Sequence, residues 1–217
     1  MYKHTIAFLL LFSLVGCATE SSRSVQTKQV RAASIGYSGP KVAVSIGKFR
    51  NQSKYMRGIF SDGVDRLGGQ AKTILTTHLQ QTGRFSLLDR SNLEEIKSES
   101  ELLNHDQKLK GANFVISGDV TEFGRKEIGD HQLFGVLGSG KQQIAYSVVS
   151  LYVINVKSGE VIDSVQGAGE YSLSNREVLG FGGSASYDST LNGKVLDLAI
   201  REAVDQLVLN LESKSWE

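Results

Sequence analysis

Ile144-Ala-Tyr-Ser-Val-Val-Ser-Leu-Tyr-Val-Ile-Asn-Val156 runs for thirteen residues without a proline, a glycine or a charge. It is rich in β-branched and aromatic residues, which predicts a strand of unusual length. Alternation puts Ala145, Val149, Leu151 and Val153 on one face. Tyr146, Val148, Tyr152, Ile154 and Val156 fall on the other, so both faces are largely apolar. Such a strand is either covered on both sides or leaves the domain at one end. Lys157-Ser-Gly-Glu160 then turns the chain into Val161-Ile-Asp-Ser-Val165, predicting a hairpin. A fainter strand, Phe114 to Phe123, precedes it.

Upstream, Lys41–Phe49 reads as the first strand, and Arg50 to Gly69 as a polar loop holding Tyr55, Met56, Ile59 and Phe60. Loops of that length within a domain are usually functional or mobile, although Tyr55 and Phe60 could simply pin this one down. Helical spacing of Ala71, Ile74, Leu75 and Leu79, ended by Gly83, predicts a helix over Gln70–Gln81. Phe85–Asp89 reads as a short strand. Ser91 and Glu94 are spaced as a capping box for a helix reaching about Leu103. A last helix, Leu191 to about Leu211, is apolar over more of its circumference than one sheet face requires. It is therefore buried twice within the domain or packed against another subunit. Alternating strands and helices give an α/β (α+β) fold, a single domain of helices on a mixed sheet.

The N-terminus indicates the compartment. Lys3 precedes an apolar run, Ile6 to Val15, too short for a permanent membrane helix. It ends in Leu14-Val15-Gly16-Cys17, which resembles the bacterial lipobox, so residues 1–16 read as a lipoprotein signal peptide and Cys17 as the acylated residue. Ala18-Thr19 lacks the aspartate of an inner-membrane retention signal, which favours the outer membrane, facing the periplasm. Two or more acyl chains make a stable anchor. Residues 17–40 read as the lipidated cysteine and a tether, whose Ala18–Ser38 stretch spans on the order of 25 Å as a coil. Cys17 is the sole cysteine, so no disulfide is expected. The four histidines are scattered and form no metal-ligand spacing. The full chain carries 24 Lys and Arg against 23 Asp and Glu. That near-neutrality argues against nucleic acid as a partner.

Two glycine-rich excursions hang on the sheet, over residues 124–143 and 167–190. Their tips carry Leu133, Phe134, Val136 and Leu137, and Val178, Leu179 and Phe181. Gly135 to Lys141 nearly matches a phosphate-binding loop. Gln142 replaces the magnesium-binding Ser or Thr, however, and a strand follows instead of a helix. Asp119, Glu122, Asp130 and His131 have no spacing that would fix them as an acid/base set, so no enzyme and no cofactor are expected. Apolar tips of this kind suit burial in a partner or a membrane.

Lys41–Ser45, Gly83–Arg90, Gly111–Gly118, Val153–Ile162 and the C-terminal helix, in that order and spacing, resemble the curli-secretion channel lipoproteins, the CsgG family. The resemblance covers residues 41–217. It implies an outer-membrane lipoprotein with a periplasmic α/β domain, assembled as a homo-oligomeric ring and acting in export or assembly at the envelope. It further implies that the two excursions are β-hairpins pairing with those of neighbouring subunits. Tyr55 or Phe60 would form a pore constriction. The alternative is a lipid-tethered scaffold that spans nothing and binds other envelope lipoproteins or exported proteins. A membrane strand needs an apolar lipid-facing side. Phe123–Gln132 carries Arg125, Lys126, Glu127 and Asp130, so neither of its faces supplies one.

Overall fold

The computed structural model describes residues 28–55, 64–131, 139–177, 190–214 and 216, with backbone alone at 127–131, 139–142, 173–177 and 190. Its strands are β1 (Val42–Asn51), β2 (Phe85–Leu88), β3 (Phe114–His131), β4 (Ser139–Asn155) and β5 (Val161–Glu177). Its α-helices are α1 (Arg66–Gln81), α2 (Leu93–Leu102) and α3 (Thr190–Lys214). The five strands lie in the order β2-β1-β3-β4-β5. β1 is parallel to β2 and β3, while β3–β4 and β4–β5 are antiparallel. The fold is therefore α+β, helices on a mixed sheet, as the alternation of elements predicts.

β4 settles the question its composition raises. Ala145, Val149, Leu151 and Val153 are fully buried, under α3. Tyr146, Val148, Tyr152 and Ile154 are half-buried on the other face, where no described helix packs. So the strand is not covered on both sides. It leaves the domain at one end, as its length allows. Asn155 and Gly159 close the hairpin into β5. The Asn155 side chain accepts from the Lys157 and Ser158 amides, and Gly159 takes φ +74°, where a side chain would be strained.

α3 is buried within the domain on two sides. Leu191, Val195, Leu196, Ala199, Ile200, Ala203, Val204 and Leu207 all have no exposed surface. One side of the helix meets β4 and β5 and another meets α1. Each fully buried Leu or Ile there contributes about 1.5–3 kcal/mol. His78 bridges the two helices, with Nε2 2.7 Å from Asp197 Oδ1 and Nδ1 3.2 Å from Gln81 Oε1.

Three readings are corrected. α1 begins at Arg66, inside the expected Arg50–Gly69 loop, because Asp65 caps it by accepting from the Gly68 amide at 2.7 Å. The Ser91–Glu94 capping box does not form. Asn92 is the N-cap residue, and no side chain caps the helix. Asp89 organises that turn instead, accepting from the Ser91 amide at 2.7 Å and from the Asn92 side chain. Those donors hold its carboxyl below the usual aspartate range.

The third correction concerns the tether, which is not free as far as Ser38. Val30 and Ala32 are buried in the core. A 3₁₀ turn over Arg31–Ser34 straps them down. Asp205 accepts from the Arg31 and Ala32 amides and from Arg31 Nε, at 3.2–3.3 Å. Arg84, buried beneath, donates to Ala32 O at 2.9 Å, Thr82 O at 2.8 Å and Glu212 Oε1 at 2.7 Å. At the other terminus Trp216 stacks on Phe85 and meets Phe114 edge-on, with centroids 5.9 and 5.6 Å apart.

Gly167 and Gly169 lie inside β5, where α3 presses on the strand. A Cβ at Gly167 would sit 2.1 Å from Ala199 O, and one at Gly169 would sit 2.7 Å from Leu198 Cβ.

Candidate functional site: the root of the projecting ribbon

β1 ends at Asn51, but β3 continues to His131, still paired with β4. The ladder runs from Phe114↔Asn155 through Phe123↔Ser147 to His131↔Ser139. β5 keeps pace with β4 to Ser139↔Glu177. At about 3.4 Å per residue, β3 is roughly 58 Å long. The last described core side chains on this ribbon are Phe123, Gln143, Ala145 and the half-buried Tyr171. Beyond them three hydrogen-bonded strands run on together.

At the root, several elements are tied into one node. Gln52 and Ser53 donate their amides to Val120 O, at 2.9 and 3.1 Å, beside the β3 bulge. Asn51 Nδ2 donates to Tyr55 O at 2.9 Å, while its Oδ1 accepts from the Ser53 amide and hydroxyl. Asp65 Oδ2 accepts from the Asn51 amide at 2.7 Å. That carboxylate therefore clamps the end of β1 to the start of α1, and both ends of the intervening segment are held at one place. The Tyr55 ring lies on Phe123, with centroids 4.7 Å apart. Asn192, at the start of α3, donates from Nδ2 to Tyr55 Oη at 3.1 Å and accepts at Oδ1 from Arg125 Nε at 3.1 Å. A relay thus runs from the β1–α1 segment through α3 to β3. Tyr55→Phe is expected to cost about 1 kcal/mol, the worth of one such hydrogen bond, and Tyr55→Ala about 3. Urea unfolding of the two variants checks both values.

Two buried polar groups also sit at the root. Gln143 and Ser147 are 8 % and 1 % exposed, and Gln143 Oε1 and Ser147 Oγ have no hydrogen-bond partner among the described residues. On the bare face, Lys126 lies over the Tyr146 ring at 5.7 Å. Gly124 makes room for that ring, since a Cβ there would be 2.5 Å from Tyr146 Oη.

Among the residues singled out in the sequence, Tyr55 is in this node, and its phenol is engaged. Phe60, Cys17, the first tip (Leu133, Phe134, Val136, Leu137) and the second tip (Val178, Leu179, Phe181) lie outside the described residues. Of the acid/base set, Asp119 pairs with Arg50 at 3.4 Å and Glu122 is exposed. Among the described residues no cluster of His, Cys, Asp and Glu could hold a metal ion. No helix among them is long and apolar enough to cross a membrane, which leaves crossing by strands open. Asn192 and Arg125 were not found from the sequence. Their partners lie 137 and 67 residues away, and no local pattern marks them.

A two-layer domain holds its own N-terminal strap against the core and projects a three-stranded ribbon. A family model for the curli production assembly/transport component CsgG matches residues 23–217, and the chain belongs to that family. It is 58 % identical over 205 residues to a protein of Neisseria meningitidis serogroup B (strain ATCC BAA-335 / MC58) whose name assigns it provisionally to the lipoproteins. The match covers 94 % of this chain and 92 % of that one. Among solved structures it is similar to a PelC L103M dodecamer from Paraburkholderia phytofirmans, at 20 % identity, TM-score 0.38 and coverage of 79 % and 94 % of the two chains. It is also similar to lipoprotein GNA1162 from Neisseria meningitidis, at 16 % identity, TM-score 0.34 and coverage of 78 % and 99 %.

Proposed function

We propose that this protein is a homo-oligomeric lipoprotein, acylated on Cys17, held at the outer membrane facing the periplasm, and acting in export or assembly at the cell envelope. The observation that carries this reading is the ribbon. Three strands leave the core together, and the outer edge of β3 beyond Val120 pairs with no described strand. Long open edges recruit further strands, and another copy is the nearest source. The unpartnered Gln143 and Ser147 at the root support the same idea, because buried polar atoms usually find a partner. Family membership supports the export or assembly role. No catalytic chemistry and no cofactor enter this reading. The expected partners are further copies, exported proteins or other envelope lipoproteins.

The composition of the ribbon favours a second reading for its outer part. Arg125, Lys126, Glu127 and Asp130 lie in β3, Lys141 in β4, and Arg176 and Glu177 in β5. Each Arg or Lys at mid-bilayer costs roughly 2–4 kcal/mol. A ribbon in water, with only its apolar tips at a membrane or partner, avoids that cost. Negative-stain electron microscopy of the full-length lipidated protein in mild detergent tests the oligomer. Rings with a stain-filled centre are expected, and single small particles at every concentration would refute it. Planar-bilayer conductance of the rings then separates a pore from a scaffold.

A further inference from the structure

α2 has no buried residue, and it makes no substantial contact with any other helix or strand. Its Ile96 and Leu103 lie on one face at a seven-residue spacing, 39 % and 76 % exposed, and Leu102 beside them is 74 % exposed. Glu95, Glu99 and Ser100 flank that face, over a shallow hollow shared with His105, Gln107 and Lys108. Helices that cannot bury an apolar face in their own domain usually bury it elsewhere. The helix carries four glutamates against one lysine, Lys97. Its partner should therefore be apolar at the centre and basic at the rim.

The same chain has such a surface. A groove of about 680 Å³ runs between α1 and the β2 edge. Ile46, Leu87 and Leu88 line its apolar part, and Thr73, Thr76 and Thr77 line the α1 side. Those three hydroxyls are already committed to the carbonyls of Gly69, Lys72 and Thr73, four residues back along α1. Lys72 and Arg90 sit at the rim together with Asp89, a balance of one positive charge. Lys72 donates to Ser91 Oγ at 3.2 Å and Arg90 to Lys110 O at 2.6 Å. From Lys72 to Gln81 the α1 wall is about 14 Å long, and α2 is about 15 Å, by helical rise.

We propose that α2 of one copy docks in the α1–β2 groove of a second copy, with Ile96 and Leu103 over Ile46 and Leu87 and with Glu95 and Glu99 towards Lys72 and Arg90. Asn92 both lines the groove and N-caps α2, so donor and acceptor surfaces are neighbours. Neighbouring complementary patches are satisfied together by a two-fold exchange, in which each copy gives its helix and receives the other's. The contact lies at the β2 edge, two strands from β3, and is separate from any pairing of ribbons.

The test mixes two full-length chains in mild detergent, both with Cys17→Ser, one carrying Ile96→Cys and the other Thr77→Cys. A bismaleimide should link them between copies. Lys72→Glu in both chains, or Glu95→Lys with Glu99→Lys in both, should lower the yield at least about tenfold. Mixing a Lys72→Glu copy with a Glu95→Lys/Glu99→Lys copy should restore it, because both contacts of the pair then match in charge. Thr77, Glu95, Ile96 and Glu99 are exposed and Lys72 is half-buried, and an unchanged thermal midpoint verifies folding. No link, or a yield indifferent to the charge swaps, overturns the proposal. Rings seen in that case would leave the oligomer reading standing.

Discussion

Gly167→Ala is expected to destabilise the domain by at least about 3 kcal/mol, the upper part of the range for overpacked cores. The new Cβ would lie 2.1 Å from Ala199 O, 2.4 Å from Ala203 N and 2.9 Å from Ala203 Cβ. Two of those atoms are helix backbone and cannot swing aside. α3 cannot retreat cheaply, because Leu196, Ile200 and Leu207 lock it into the core with no exposed surface. β5 is held by its ladder to β4 on both sides of Val149↔Gly167. Domains of this size are stable by only about 5–15 kcal/mol, so a single methyl removes a large share. Gly69→Ala is the control. It is exposed in α1, and its Cβ would meet nothing within 4 Å. It should stabilise by about 0.5–1 kcal/mol through helix propensity. Urea unfolding compares the two, and equal midpoints would contradict the packing argument.

Arg84→Ala is expected to cost about 3–5 kcal/mol, the scale of breaking one side of a buried pair. The guanidinium serves Ala32 O, Thr82 O and Glu212 together and lies 4.9 Å from the centre of the Tyr37 ring. Its loss leaves two buried carbonyls without that donor. Lysine cannot replace a planar group that reaches several acceptors at once, so Arg84→Lys should recover less than half. A second readout separates this from general destabilisation. The strap should loosen first, and trypsin should cut at Lys28 and Arg31 faster than elsewhere in the variant. Uniform cleavage across the chain would instead mean that Arg84 supports the whole core and not the strap.

The parts legible in sequence are those where one strong pattern dominates. β4 announces itself by thirteen residues of β-branched and aromatic character, and α3 by an apolar stripe too wide for a single face. The outer half of β3 carries no such signal. It is charged, and it is a strand because β4 pairs with it residue by residue, not because of its own propensity. Gly167 and Gly169 read in sequence as the opening of a glycine-rich excursion from the sheet. In the fold they are flat places for a helix to rest, which only the distant alanines of α3 reveal. Val30 and Ala32 are hidden among Ser, Gln, Lys and Arg, and their partners lie more than fifty residues away. Ser91 and Glu94 have the right spacing for a capping box, but Asp89 takes the Ser91 amide that the Glu94 carboxylate would need. The node at Tyr55 was legible only as an aromatic in a polar loop. Its use of Asn192 depends on the tertiary fold alone.

The strap and Trp216 set an order in time. Val30 and Ala32 need Asp205 and Arg84, Arg84 needs Glu212, and Phe85 and Phe114 lie against Trp216. In a polypeptide emerging N-terminus first, each of these seals waits for the final two dozen residues. Until α3 arrives, β4 and β5 have no layer to bury against, and the domain matures as one unit only once that helix is present. It locks in a single late step.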